Sequence, residues 1–185
     1  MRWGRSSLIV FVAASFLLPS CTNIVAGKAV VAARDIDQIV VFNPCRGEDF
    51  DEALRSAGLD PATRHVVTDA PEGPASWRVC NWRPLDVRQH GSAKLVVTLF
   101  STSHTLYELR TKENVVILGH TRVNKRQGLV SNERFDPGTC YVSFDAQQGM
   151  FEVNAGWLSD EGTRIGEPCQ IAQHFARALE PHLPK

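Results

Sequence analysis

The sequence lacks an excess of charge of either sign, since 20 basic residues balance 20 acidic ones. Because nucleic-acid binding depends on a clustered basic field, this balance gives no support for a nucleic-acid partner. The sequence also offers little that could cross a bilayer. Its apolar run over residues 7–18 is shorter than the roughly 20 residues that a span requires, and Pro19 breaks it. We therefore expect no permanent membrane-spanning helix.

Signatures of common active sites are missing as well. The chain has no G-x-S-x-G turn, no S-x-x-K, no G-x-G-x-x-G and no P-loop, which removes the usual hydrolase and nucleotide-binding motifs. It has no C-x-x-C, no H-x-x-x-H and no H-E-x-x-H, although zinc ligands usually occur as close pairs. The six histidines are scattered: His65, His90, His104, His120, His174 and His182. We predict no catalytic, cofactor-binding or metal-ligating residue.

The N-terminal residues carry the most informative pattern in the chain. Arg2 and Arg5 form a short basic region before the apolar run, and Leu18-Pro19-Ser20-Cys21 fits a lipobox. An ordinary cleaved signal would favour small residues at both the third and the first position before the cleavage site. Leu18 occupies the former, so the pattern favours lipid-linked processing, with Cys21 as the site of lipid attachment.

This interpretation divides the chain into three parts. Residues 1–20 are a lipoprotein signal peptide, residues 21–40 are the lipid anchor and tether, and residues 41–185 are a single domain. Two or more acyl chains hold a protein stably on a membrane, whereas one holds it only marginally. We therefore expect a cell-membrane lipoprotein on the extracytoplasmic face, with the membrane as a partner through Cys21.

The other four cysteines, Cys45, Cys80, Cys140 and Cys169, are an even number in an exported domain. They indicate two disulfides, for which three pairings exist. We favour Cys45–Cys80 and Cys140–Cys169, because each ties a helix start to a nearby strand. A four-cysteine zinc site is the alternative, and the wide spacing of the cysteines argues against it.

The periodicity of apolar residues predicts an α+β fold, in which a mostly antiparallel β-sheet is packed by three helices and held by the two disulfides. An N-terminal helix has Phe50, Ala53, Leu54 and Ala57 on one face and ends at Gly58. A capping box at Thr105 starts a short middle helix, and a C-terminal helix begins near Pro168. Strands are predicted over residues 39–42, 77–82, 94–101, 115–118, 128–131, 140–144 and 151–157, with a turn at residues 136–138.

Several of these segments, taken in order, resemble a known family. They are Gly27-Lys28-Ala29-Val30, Pro44-Cys45, Gly58-Leu59, Cys80-Asn81-Trp82, Cys140-Tyr141-Val142, Pro168-Cys169 with Ala172, and Leu183-Pro184. Their order and spacing are similar to those of the LprB/LprC-like lipoproteins of mycobacteria and other actinobacteria, over nearly the whole chain. The resemblance implies an exported, lipid-anchored domain of unknown function and supplies no catalytic residues.

Three further groups of side chains have structural explanations that compete with functional ones. Arg122, Lys125 and Arg126, with Arg110 and Lys112 nearby, could contact lipid headgroups or an anionic polymer, or form a solvated loop. Trp77, Trp82 and Trp157 could line an apolar site, although Trp82 shares a strand face with Cys80 and fits the core. The acidic residues 48–52 begin a helix, where its dipole favours them.

These observations favour a non-enzymatic binding or accessory module of the cell envelope, whose partner is an unidentified envelope protein, polymer or lipid. The alternative is a carrier or sensor of a lipid or small apolar ligand, which needs a pocket of roughly 300–1,000 Å³. A hydrolase with an unrecognised site is a weaker third hypothesis.

Overall fold

The computed structural model describes residues 34–35, 38–47, 49–69, 76–158 and 161–185, apart from the side chain of residue 137. The predicted signal peptide, the lipid-attachment residue Cys21 and most of the predicted tether lie outside the described residues. The chain already contacts the domain at Arg34, whose guanidinium donates a hydrogen bond to the Gln148 carbonyl at 2.9 Å.

Seven strands in the described part of the chain form one antiparallel sheet. They are β1 (Leu59–Thr68), β2 (Trp77–Pro84), β3 (Leu95–Thr102), β4 (Val115–Val123), β5 (Arg126–Glu133), β6 (Asp136–Ala146) and β7 (Gly149–Trp157). Their spatial order is β1-β2-β3-β7-β6-β5-β4. The final strand therefore lies at the centre, between β3 and β6.

Three α-helices are described: α1 (Asp49–Ser56), α2 (Leu106–Arg110) and α3 (Pro168–Leu179). Short 3₁₀ turns cover Val87–His90 and Glu180–His182. Helix α1 ends where the sequence predicts, because Gly58 adopts a positive φ of 84° that suits glycine. The predicted fold class, an antiparallel sheet with N-terminal, short middle and C-terminal helices and two disulfides, is confirmed.

The main core lies between one face of the sheet and helices α1 and α3. Side chains alternate along each strand, so that Phe151, Val153 and Ala155 of β7 point to this face. Leu54 of α1 and Phe175 of α3 belong to the same buried cluster. Trp82, predicted to be a core residue, is fully buried there.

Both predicted disulfides are present. Cys45–Cys80 joins the segment before α1 to β2, and Cys140–Cys169 joins β6 to the first turn of α3, with Cα–Cα distances of 5.5 and 4.9 Å. The closed loops span 35 and 29 residues, for which chain-entropy reasoning gives about 3.5–4 kcal/mol each. The first disulfide therefore attaches the segment before α1 to the sheet, and the second attaches the start of α3 to it.

The structure corrects four details of the predicted elements. Strand β1 was not predicted, because its sequence contains Pro61 and does not alternate. A proline is tolerated at the sheet edge, where β1 lies. Residues 39–42 do not form a strand, and Val40 is 91% exposed. The turn predicted at residues 136–138 lies at 134–135, and a two-residue turn at 124–125, rather than a solvated loop, joins β4 to β5.

Candidate ligand-binding site

The second face of the sheet is covered by α2 alone among the α-helices of the described chain. A capping box fixes the start of this helix: the Thr105 hydroxyl accepts from the Glu108 amide at 3.3 Å, and the Glu108 carboxylate accepts from the Thr105 amide at 2.6 Å. The backbone hydrogen bond from Thr105 is the main cause of the lowered pKa of Glu108. The capping-box prediction is thus confirmed, and it positions the helix over the sheet.

Helix α2 is too short to cover this face completely. Leu106 and Leu109 pack against Leu129 of β5 and Met150 of β7 in a small second apolar cluster. Beside this cluster the strands present polar side chains, since Tyr141 pairs with Ser131 and Ser143 pairs with Glu152 in the sheet register. The incomplete cover leaves a cavity between the end of α2 and strands β5, β6 and β7.

This cavity, which we call the α2 cavity, has a volume of about 70 Å³. Leu109 and Val115 form its apolar lining. Its polar lining consists of Lys112, Asn114, Ser131, Asn132, Glu133, Tyr141 and Glu152. It therefore combines two carboxyl groups with one ammonium group and several neutral polar groups.

Glu152 is the most unusual residue of the α2 cavity, because it carries an ionisable group at the centre of the sheet and is only 6% exposed. The Ser143 hydroxyl donates a hydrogen bond to its Oε2 at 2.5 Å. Loss of hydration on burial raises the pKa of the Glu152 carboxyl, and this outweighs the opposing effects of the Ser143 hydrogen bond and the Lys112 charge. Glu152 therefore keeps its proton to a higher pH than an exposed glutamate.

Tyr141 links the second carboxyl group to the cavity. Its hydroxyl donates to Glu133 Oε1 at 3.2 Å. Burial is the largest cause of the raised pKa of Tyr141, and the negative charges of Glu133 and Glu152 add to it. The tyrosine thus remains a neutral hydrogen-bond donor across the physiological range.

An aromatic row continues from Tyr141 across the same face. The ring centroids of Tyr141 and Phe100 are 6.1 Å apart, as are those of Phe100 and Trp77. The Lys112 ammonium lies 5.0 Å from the centroid of the Trp77 ring, a distance at which a cation is attracted to the ring face. Lys112 therefore places its charge over an aromatic ring at the edge of the cavity.

Ser143, the serine beside Glu152, is not an accessible nucleophile. Ser143 is fully buried, so its hydroxyl cannot reach a substrate carbonyl, although it lies against a carboxyl group. No histidine of the described chain lines the α2 cavity. Ser143 therefore acts as a support that orients Glu152.

Two larger clefts lie near the helices of the other face. One, of about 470 Å³, lies between the end of α1, the Val87–His90 turn and the start of α3. The other, of about 510 Å³, borders α1 and is lined in part by Phe42, Arg46 and His182. Both are open at the surface, because side chains fill the interior between the sheet and the helices.

Comparison with known proteins places the chain in a family. A family model described as "Protein of unknown function (DUF3558)" matches residues 25–182. The chain belongs to the DUF3558 family. Searches of the curated proteins and of the solved structures found no match. Among the described residues of this DUF3558 chain, none of the helices combines the length and the hydropathy that a bilayer span requires.

The structure separates the basic residues that the sequence grouped together. Arg126 does not belong to a solvated loop or a headgroup-binding surface, because it is buried in an ion pair with Glu180, with Nε 2.7 Å from Oε1. Arg122 and Lys125 stay exposed. Lys112 lines the α2 cavity on the second face of the sheet. The expectation of a solvated or headgroup-binding side chain was wrong for Arg126, because the turn between β4 and β5 directs the Arg126 side chain towards the C-terminal residues.

The remaining predicted groups of the DUF3558 domain have structural roles. The Asp51 carboxylate pairs with Arg64, which ties α1 to β1. Among the described residues, no group of three or more His, Cys, Asp or Glu side chains could hold a metal ion. Trp157 is partly buried against the main core, whereas Trp77 belongs to the second face.

Apart from Lys112, sequence reasoning missed the residues of the α2 cavity. Glu152 lies between Phe151 and Val153, at a position that alternation assigns to the solvent side of a strand. A polar residue there attracts no attention unless a helix is known to cover it. The capping box at Thr105 was the one sequence signal near the cavity, and it does not reveal where α2 packs.

Proposed function

We propose that this DUF3558 chain is a lipid-anchored binding module on the extracytoplasmic face of the cell membrane, without enzymatic activity. The observation that carries this proposal is the state of its cysteines. Four of the five cysteines are joined in two disulfides, and the remaining one is Cys21 of the lipobox. A lipoprotein that matures outside the cytoplasm would use its five cysteines in this way.

The disulfides support export because such bonds persist in oxidising compartments and are rare in the cytosol. They also leave no cysteine pair for zinc in the domain. The resemblance to LprB/LprC-like lipoproteins supports the same proposal at a finer level, including an actinobacterial envelope as the setting. The tether motif Gly27-Lys28-Ala29-Val30 and the order of the cysteine motifs are the sequence features behind it.

A binding role agrees with the chemistry of the α2 cavity. Its carboxyl and hydroxyl groups are arranged to exchange hydrogen bonds with a ligand, and the serine that supports Glu152 is inaccessible to a substrate. We expect the ligand to be a component of the envelope, presented by a protein, a polymer or a lipid.

Lipid attachment is tested by replacing the acceptor thiol. Cells expressing the full-length chain or Cys21→Ser are fed a clickable fatty acid, and label and membrane association are measured. We expect label and membrane association in the original chain and the loss of both in Cys21→Ser. Ser20→Ala is the matched control, because alanine is also small and should leave processing intact. A labelled Cys21→Ser chain, or an unlabelled original chain, would refute the anchor.

One observation favours a carrier as the second candidate function. The cleft beside the start of α3 has a volume of about 470 Å³, within the usual range for small-ligand pockets, and the half-exposed Leu85 and Ile165 lie on its rim. Native mass spectrometry of the protein purified from its own host would reveal a bound apolar molecule. Its absence after mild purification would count against a carrier.

A further inference from the structure

The groups that line the α2 cavity have more negative than positive charge available. Glu133 and Glu152 contribute two carboxyl groups, and Lys112 contributes one ammonium group. Neither carboxyl group has an ion-pair partner within 4.0 Å in the described part of the chain. Lys112 instead lies over Trp77. Because burial raises the pKa of the Glu152 carboxyl, one further positive charge in the cavity would favour its ionised form and balance the two carboxylates.

The cavity also contains a buried hydroxyl group without a partner. Ser131 is only 2% exposed and lines the cavity, yet its hydroxyl makes no hydrogen bond to any other described residue. The Ser131 oxygen is not among the fully inaccessible polar atoms of the described residues that lack a partner, so a group that enters the cavity can reach it. The Glu152 carboxyl accepts a single hydrogen bond, from Ser143. It can therefore accept further hydrogen bonds from a ligand.

The chemistry of the cavity selects among possible occupants. An anion would meet two carboxyl groups, which excludes it. Calcium needs six to eight oxygen ligands, whereas an ammonium group is satisfied by far fewer acceptors. A primary ammonium group needs three acceptors, which Glu152, Ser131 and Glu133 of the lining can supply.

The volume sets a limit on the rest of the ligand. About 70 Å³ is several times the roughly 10–15 Å³ that one water molecule requires. The cavity can therefore hold an ammonium group with a few methylene groups. The aromatic row of Trp77, Phe100 and Tyr141 lies on the same sheet face and offers a surface for the remainder of the ligand.

We propose that the α2 cavity binds the primary ammonium end of an unbranched aminoalkyl chain, such as a lysine-type side chain of an envelope peptide. This inference names the ligand of the proposed binding module and rests on that proposal, but it does not depend on the lipid anchor. On binding, the ligand donates to Glu152 and Ser131, and Lys112 stays over Trp77. The buried carboxyl group releases its proton as the ammonium group enters.

The experiment measures binding of Nα-acetyl-lysine N-methylamide to the full-length protein in detergent by isothermal titration calorimetry. We expect saturable binding that strengthens as pH rises through the titration of Glu152. Glu152→Gln should weaken it by at least about 10-fold and Ser131→Ala by about 3- to 10-fold. Glu113→Gln, an exposed acid next to Asn114 but outside the lining, should leave the affinity within about 2-fold.

Three outcomes would overturn the inference: equal binding of the neutral norleucine analogue, no saturable binding of the lysine analogue, or binding of calcium that depends on Glu152 in place of the amine. A thermal melt of each variant checks that it folds. If Glu152→Gln does not fold, Ser131→Ala still tests the inference, because it removes only one oxygen atom. Fatty-acid labelling of the same preparation separates the two proposals. Labelled protein without amine binding refutes only the ligand, and unlabelled protein with amine binding refutes only the anchor.

Discussion

Replacing Arg126 by methionine removes the guanidinium partner of the buried Glu180 carboxylate while keeping an apolar side chain of similar length. In the folded protein this ion pair is hardly exposed: the exposed fraction of the side chain is 9% for Arg126 and 5% for Glu180. The guanidinium also lies 5.6 Å from the Phe144 ring centroid and donates to the Leu183 carbonyl at 3.0 Å. Methionine retains the contact with the ring but none of the hydrogen bonds.

The expected cost follows from the burial of the pair. Removing one partner of a buried ion pair typically destabilises a protein by about 3–5 kcal/mol, because the other charge stays buried. Glu180 keeps hydrogen bonds from Asn124 at 2.8 Å and Lys185 at 3.0 Å, so we expect about 3 kcal/mol, the lower end of that range. This is a large part of the roughly 5–15 kcal/mol that stabilises a typical domain.

The structure also predicts how the destabilisation in Arg126→Met changes with pH. Burial alone would raise the pKa of Glu180, but hydrogen bonds from Asn124, Lys185 and Arg126 hold the pKa below its usual value. A lowered folded-state pKa contributes stability above the unfolded-state value of about 4.3, and this contribution is lost as pH falls through the folded-state pKa. The destabilisation in Arg126→Met should therefore be largest near neutral pH and smaller in acid.

Urea denaturation at neutral and acidic pH measures both quantities. Lys185→Met is the matched control, because Lys185 contacts the same Glu180 oxygen from a side chain that is 72% exposed, and such pairs are worth less than about 1 kcal/mol. The reasoning fails if Arg126→Met costs no more than Lys185→Met. It also fails if the cost of Arg126→Met is the same at both pH values.

Two further predictions concern the second face and the disulfides. The pKa of the Glu152 carboxyl is raised in the folded protein, so this group favours folding at low pH and loses that contribution as pH rises through its folded-state pKa. Glu152→Gln lacks this titration and should therefore gain stability relative to the original chain as pH rises above the usual carboxyl range. A thermal-denaturation series against pH measures this, and a stability difference that is constant or falls with pH contradicts it. Replacing Cys140 and Cys169 together by alanine should cost about 3–4 kcal/mol in non-reducing denaturation; a loss below about 1 kcal/mol would show that the bridge constrains little.

Some features of this fold could be predicted because they have local causes. The left-handed Gly58, the capping box at Thr105 and the apolar stripe of α3 each depend on a few neighbouring residues. The cysteine pairing could also be predicted, because each pair consists of one cysteine in a strand and one at, or shortly before, the start of a helix. Local patterns were sufficient for the fold class and for the covalent links.

The α2 cavity could not be predicted because it depends on contacts between residues far apart in sequence. Nothing near Glu152 indicates that Lys112 and Ser131 lie beside it. The order of the strands decides this, since β7 pairs with β3 on one side and with β6 on the other. For the same reason the sequence predicts Arg126 in a headgroup- or polymer-binding cluster or a solvated loop, whereas its partner Glu180 lies 54 residues further along the chain.

The positions of the two disulfides have a consequence for how the chain is assembled. Cys45 bonds to Cys80, the next cysteine along the described chain, and Cys140 bonds to Cys169. Under the export proposed above, an oxidase that meets the polypeptide from its N-terminal end can therefore join each successive pair of thiols as it emerges, and no reshuffling is needed. Neither link crosses between β3 and β7, so hydrogen bonds and apolar packing alone unite the early and late halves of the sheet once synthesis is nearly complete.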